Sequence, residues 1–93
     1  MDVQVLSTSR PRLARQARTQ WDPVREKRVL LSPEGVLILN ETGARIIELC
    51  DGERTVGEIV ERLRERYERV VEEEVCDFIA RLAARRLVEV KDG

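Results

Sequence analysis

The spacing of apolar residues changes near residue 40. Ahead of it, apolar positions come in short runs broken by turn residues; beyond it they recur every three or four residues. Residues 1–12 are mostly polar and read as a loose tail, leaving 13–93 as the folded domain. From Leu13 on, Arg15, Ala17, Thr19 and Trp21 alternate with Gln16, Arg18 and Gln20, the period of a half-exposed strand. Asp22-Pro23 marks a turn. Residues 24–31 read as a second strand, charged at Arg25, Glu26, Lys27 and Arg28 and apolar at Val29, Leu30 and Leu31. Ser32-Pro33-Glu34-Gly35 is the next turn, and Val36-Leu37-Ile38-Leu39 a third strand, apolar on both faces. Three strands joined by tight turns form an antiparallel meander.

Helical spacing takes over from there. Asn40 is placed to cap a first helix by accepting a backbone N–H, and Ala44, Ile46, Ile47 and Leu49 supply its apolar stripe. Asp51-Gly52 stops it, because Gly52 is free to adopt the left-handed conformation. Thr55-Val56-Gly57-Glu58 is a capping box that opens a second helix, with Val56, Ile59, Val60, Leu63 and Tyr67 on one face. A third helix is expected over residues 72–86. Val75, Ile79 and Leu82 centre its stripe, with Glu72, Glu73 and Glu74 at the start and Arg81, Arg85 and Arg86 toward the end. Leu87-Val88-Glu89-Val90 has the pattern of a short closing strand. The predicted class is α+β: a three-stranded antiparallel sheet followed by three helices, like a winged helix-turn-helix.

Composition narrows the function. The chain has 93 residues, enough for one modest core and too few for a deep catalytic cleft with a lid. It has no histidine, which removes the commonest general base and the favoured metal ligand. Cys50 and Cys76 lie far apart with no paired spacing, so a zinc site or redox motif is not expected. A disulfide between them is conceivable, but packing as small hydrophobes is the simpler reading. No glycine-rich phosphate loop is present either, so no catalytic residue, metal or cofactor is predicted, and the chain is read as non-enzymatic.

Net charge is −1, spread as +3 over residues 1–20, −1 over 21–50 and −3 over 51–93. A winged helix-turn-helix that inserts its third helix into DNA is the alternative function, yet such a protein normally carries a strong basic bias. No run of apolar residues is long enough to span a membrane, and residues 1–12 lack the basic and apolar regions of a signal peptide, so the expected location is the cytoplasm.

The third strand holds the strongest functional signal. In a meander the second strand is central, so the first and third are edges, and edges are usually guarded by charge, proline or a bulge. The first strand has Arg15 and Arg18; residues 36–39 are apolar throughout. Either the C-terminal segment or a helix covers this edge, or an extended peptide adds to it as a strand. A second copy of the chain pairing at the same edge would make a homodimer. Replacing Leu37 with proline is the change expected to damage peptide binding most, since it removes a backbone donor if that N–H faces outward and distorts the strand in any case.

The ordered set Pro11-Arg12-Leu13, Trp21-Asp22-Pro23-Val24-Arg25, Val29-Leu30-Leu31-Ser32-Pro33-Glu34, Asn40-Glu41-Thr42, Leu49-Cys50-Asp51-Gly52 and Thr55-Val56 resembles the PqqD family, from about residue 11 to residue 90. That family is the peptide chaperone of pyrroloquinoline quinone biosynthesis, a precursor-peptide recognition element. The resemblance implies binding of the precursor peptide PqqA beside the third strand, in a groove against the third helix, and its presentation to the radical SAM enzyme PqqE. The peptide-binding residues expected on that basis are Val36, Leu37, Ile38 and Leu39 with Val75, Phe78, Arg81, Leu82 and Arg85. On helix 3, Phe78, Arg81 and Arg85 form one flank of the buried stripe and Cys76, Ala80 and Ala83 the other. The small flank would admit a backbone and the arginine flank would hold carboxylates; the arginine flank is preferred. Two residues depart from the family pattern: Gly35, where a bulkier residue is common and whose freedom would loosen the entry to the third strand, and Gly43, early in the first helix.

Overall fold

A computed structural model describes residues 4–92. Its elements run β1 (Ser9–Leu13), β2 (Arg18–Asp22), β3 (Lys27–Ser32), β4 (Gly35–Leu39), α1 (Glu41–Leu49), α2 (Val56–Arg64), α3 (Glu72–Ala84) and β5 (Val88–Asp92). β2, β3 and β4 form the expected antiparallel meander with β3 in the middle, while β1 and β5 pair antiparallel in a second, two-stranded sheet. The class is α+β as predicted, with that second sheet added.

The N-terminal reading needs correction. Within the expected loose tail, residues 9–12 belong to β1; residues 1–3 lie outside the described residues. In Ser-Arg-Pro-Arg-Leu the inward positions are Ser9 and Pro11, both buried, and the arginines point out. The alternation has a strand's period, but the inward residues are a serine and a proline, so hydropathy conceals it. The Ser9 hydroxyl accepts the Leu6 N–H at 2.9 Å, which satisfies a polar group that burial would otherwise penalise. The Pro11 carbonyl accepts the Gly52 N–H at 2.9 Å. The missing N–H of Pro11 falls on that same side, away from β5, so the ladder is undisturbed.

The long alternating segment after Leu13 is also broken. A turn closed by the Ala17 N–H on the Ala14 carbonyl (3.0 Å) separates β1 from β2, and both alanines are buried. β3 begins at Lys27 rather than residue 24. The Asp22 carboxylate accepts the Val24 and Arg25 N–H groups and pairs with the Arg25 guanidinium at 2.6 Å, which holds residues 22–26 as a turn.

The helices follow their caps. Asn40 Oδ1 accepts the Gly43 N–H at 2.7 Å, and the capping box of Thr55 and Glu58 is complete in both directions. Gly52, at φ +82°, turns the chain out of α1 and lies against the Arg12 side chain, where a Cβ would approach within 3.2 Å. α3 has no side-chain cap at Val71; its three first-turn glutamates face the positive helix end instead. Val75, Ile79 and Leu82 are its buried residues, as the periodicity requires. They join Leu30, Leu39, Ile46, Ile47, Val56, Ile59, Val60, Leu63, Leu87 and Val88 in one core. Cys50 is buried there and Cys76 is half-buried; both are free thiols, and burial pushes the Cys50 thiol up to about 12, so it packs as a small hydrophobe.

Candidate functional site

The open edge of β4 is fixed by one residue of the turn before it. β3 and β4 pair Ser32 with Gly35, Leu31 with Val36, Leu30 with Leu37, Val29 with Ile38 and Arg28 with Leu39. If Ser32 and Gly35 were the non-bonded kind of pair, the ladder would need an N–H from residue 33, and Pro33 has none. Ser32–Gly35 is therefore a hydrogen-bonded pair, and so in alternation are Leu30–Leu37 and Arg28–Leu39. This leaves the N–H and C=O groups of Val36 and Ile38 pointing away from β3, and among the described residues no further strand lies beside β4. The Leu37 N–H faces inward. Of the two reasons for the proline substitution at Leu37, the outward donor is therefore absent, while distortion of the strand stands: the change removes a bond of the β3–β4 hairpin.

Side chains on β4 divide by face. Leu39 enters the core and Leu37 packs partly against it, whereas Val36 and Ile38 stand 55% and 52% exposed on the outer face. β5 does not cover β4; it pairs with β1. Covering of the edge by the C-terminal segment, one of the two readings open from the sequence, does not occur among the described residues.

The partner surface on α3 is reached through α1. α3 packs chiefly on α2 and β5. Asn40, which ends β4 and caps α1, stands at the mouth of a cleft of about 400 Å³ between α1, the α2–α3 connection and α3. Val75, Phe78 and Arg81 line it, facing Thr42, Gly43 and Ile46 of α1 and Val70 and Val71 of the connection. Of the predicted α3 residues, these three come together. Leu82 is sealed in the core, and Arg85 is exposed at the helix end without lining the cleft. On the other flank, Ala83 lines a separate depression with Arg12, Arg15 and Arg86 near β1.

Several cleft residues were not predicted. Gly43 faces the Phe78 ring, and a Cβ there would lie 3.2 Å from Phe78 Cζ and 3.0 Å from Asn40 Oδ1. The glycine lets the aromatic ring close onto α1, which accounts for its unusual place in a helix. Arg69 and Glu74 supply charge beside Arg81, and among the described residues neither Arg69 nor Arg81 forms an ion pair. The Tyr67 hydroxyl donates to the Glu41 carboxylate at 3.2 Å, and desolvation together with that carboxylate raises its pKa. Glu74 stands at i, i+4, i+7 spacing with Phe78 and Arg81 on α3, a signal the spacing held, whereas Arg69 is brought in by the connection between α2 and α3 and had none. A second cleft, of about 420 Å³, lies on the inner side of the sheet between Trp21, Arg28, Leu39, Arg45 and Tyr67. Among the described residues there is no cluster of metal-ligating groups and no helix long and apolar enough to cross a membrane.

Comparison with known proteins gives this geometry a context. The family model for Coenzyme PQQ synthesis protein D (PqqD) matches residues 27–88. A protein of Azotobacter vinelandii named PqqA binding protein is 39% identical over 82 residues, covering 86% of this chain and 89% of that protein. Its namesake in Stutzerimonas stutzeri is 37% identical over 86 residues, covering 90% and 94%. The solution NMR structure of the PqqD truncation of Methylobacterium extorquens PqqCD, described as a functional, stand-alone RiPP recognition element, superposes with a TM-score of 0.72 at 35% identity, covering 85% of this chain and 87% of that one. The heterocyclase TruD shares the fold over 89% of this chain and 12% of its own length, with a TM-score of 0.63 at 21% identity. Sequence, fold and length agree, and the chain belongs to the PqqD family.

Proposed function

We propose that this protein is a non-catalytic recognition element of pyrroloquinoline quinone biosynthesis that binds the precursor peptide PqqA as an added strand on β4 and presents it to the radical SAM enzyme PqqE. The observation that carries the reading is the free edge of β4, with outward backbone groups on Val36 and Ile38, ending at Asn40 where the cleft of Phe78 and Arg81 begins. A peptide strand satisfies those groups at little steric cost. Apolar peptide side chains next to Phe78, Val70 and Val71 each contribute about 1.5–3 kcal/mol when fully covered. Ordering the peptide opposes this by several kcal/mol, so the complex has micromolar to sub-micromolar affinity.

Arg81, with Arg69 beside it, is the partner for peptide carboxylates, and Arg85 extends the same flank one turn further. Leu82 serves by holding α3 in the core rather than by touching peptide. In the absence of peptide the same β4 edge pairs with a second copy at high concentration. The protein acts in the cytoplasm, where its peptide is made.

Calorimetric titration with PqqA tests the binding. Saturable heat at a stoichiometry of one is the expected result; no heat would refute the reading. Presentation is tested by PqqE turnover on PqqA with and without this protein, which should give cross-linked product only in its presence. Steep salt dependence of binding to duplex DNA, with no affinity for PqqA, would favour the nucleic-acid alternative.

A further inference from the structure

We infer that the outer face of the β2–β3–β4 sheet is a second reading surface for the bound peptide, selecting aliphatic side chains at two peptide positions separated by one residue. The inference rests on the proposed addition of the peptide to β4, and it concerns the face turned away from the helices rather than the cleft at α3.

The outer face is graded across the sheet. Its residues on β2 are Arg18, Gln20 and Asp22; on β3 they are Lys27, Val29 and Leu31; on β4 they are Val36 and Ile38. It is polar at the β2 edge and apolar at the β4 edge, the reverse of how an exposed edge is normally guarded. Val29, between Gln20 and Ile38, is only 3% exposed yet lies outside the main core. It and Leu31 form the floor of a separate aliphatic strip whose outermost members, Val36 and Ile38, are half exposed.

The hydrogen-bond alternation sets what meets that strip. The outward backbone groups of β4 belong to Val36 and Ile38, the residues whose side chains face outward. In a strand added at this edge, the residues level with Val36 and Ile38 share their face, whether the strand runs parallel or antiparallel. Those two peptide residues lie two apart in sequence and extend the strip of Val29, Leu31, Val36 and Ile38 by one more row. The peptide residue between them is level with Leu37 and points to the helix side. One segment is thus read on both faces. Aliphatic groups are required outside, because a charged or strongly polar side chain there would lose water against the β-branched Val36 and Ile38 without gaining a partner.

The test pairs a protein variant with a scan of the peptide. The double substitution Val36→Thr with Ile38→Thr keeps β-branched shape and strand preference while removing apolar contact. Calorimetry should show PqqA binding about tenfold weaker to the double variant than to the parent, with the thermal unfolding midpoint little changed. Each apolar residue of PqqA is then changed singly to threonine. Two positions, with one residue between them, should weaken binding to the parent and lose that penalty against the double variant.

Undiminished affinity of the double variant, or a different spacing of the positions that lose their penalty against it, overturns the outer-face inference and leaves strand addition at β4 standing. A change in self-association by sedimentation without a change in PqqA affinity assigns the strip to a second copy and also overturns it. If the double variant loses its cooperative unfolding transition, the single variants Val36→Thr and Ile38→Thr carry the same comparison, each expected to remove the penalty at one of the two peptide positions; penalties unchanged in both overturn the inference. Failure of the parent to bind PqqA removes the proposed function and this inference with it.

Discussion

The two small sheets of this protein treat their edges in opposite ways. On the outer side of β1, the Pro11 carbonyl takes the Gly52 N–H, the Leu13 N–H goes to the Cys50 carbonyl, and just ahead of the strand the Ser7 carbonyl takes the Gly57 N–H. The connection between α1 and α2 therefore acts as a third strand in all but name, and the Arg12–Asp51 bridge sits within it. β4 receives nothing comparable. Its outward groups at Val36 and Ile38 have no strand beside them, and their side chains are aliphatic where β2 presents Arg18, Gln20 and Asp22. The chain has the means to close an edge and uses them on one sheet only. The open edge is a feature of the layout, and the proposed peptide strand would complete it.

The largest effect expected from breaking this contrast is removal of the closed sheet. Deleting residues 1–13 takes away β1, exposes β5 and uncovers the α1–α2 connection, so cooperative thermal unfolding should disappear. A truncated chain that melts like the parent would show that β1 contributes little.

On β4, two neighbouring proline substitutions should behave differently. Leu37→Pro removes an N–H that bonds to β3 and should lower stability by on the order of 2–4 kcal/mol in urea unfolding. Ile38→Pro removes an outward N–H, a position where an edge strand tolerates proline. It should leave the urea midpoint near that of the parent while weakening PqqA binding by about tenfold or more. Equal loss of stability in the two variants would mean that the hydrogen-bond alternation is misassigned.

Gly52→Ala sharpens the comparison from the closed side. At φ +82° with the Arg12 side chain 3.2 Å from the new Cβ, it should cost about 1–2 kcal/mol and leave PqqA affinity unaltered.

Acid gives the smallest effect. Asp51 accepts the Arg54 and Glu53 N–H groups, which hold its carboxyl below the usual range; Thr55 does the same for Glu58, and Arg25 for Asp22. A carboxyl whose folded pKa is depressed stabilises the fold above its unfolded value and stops doing so as pH falls through the folded one. Stability should therefore be flat near neutrality and decline below about pH 4. Asp51→Asn should make that decline shallower in pH-dependent urea unfolding.

Most of the fold was legible where one residue decides locally. Asn40, Gly52 and the Thr55–Glu58 box gave helix boundaries because capping needs only a few adjacent groups. The stripe of α3 followed from spacing alone. β1 was not legible: its inward residues are Ser9 and Pro11, and their burial depends on β5, some 80 residues away, and on the α1–α2 connection. At the candidate site, the apolar run 36–39 was visible in the sequence, and the placement of Val75, Phe78 and Arg81 on one cleft agrees with the helical wheel. Spacing already put Leu82 at the centre of the buried stripe, where the structure has it. What was not visible is the cleft's opposite wall, built by Gly43, Val70 and Val71, which only tertiary packing brings to Phe78.

Amide hydrogen exchange with and without PqqA tests strand addition at β4 residue by residue. In the free protein, the Leu37 and Leu39 amides are already bonded to β3, while those of Val36 and Ile38 are open. The alternation across β3 likewise leaves Thr19 and Trp21 as the open amides of β2. Adding PqqA should slow exchange at Val36 and Ile38, with Leu37, Leu39, Thr19 and Trp21 unchanged. Protection that appears at Thr19 and Trp21, with Val36 and Ile38 still exchanging freely, would contradict the account.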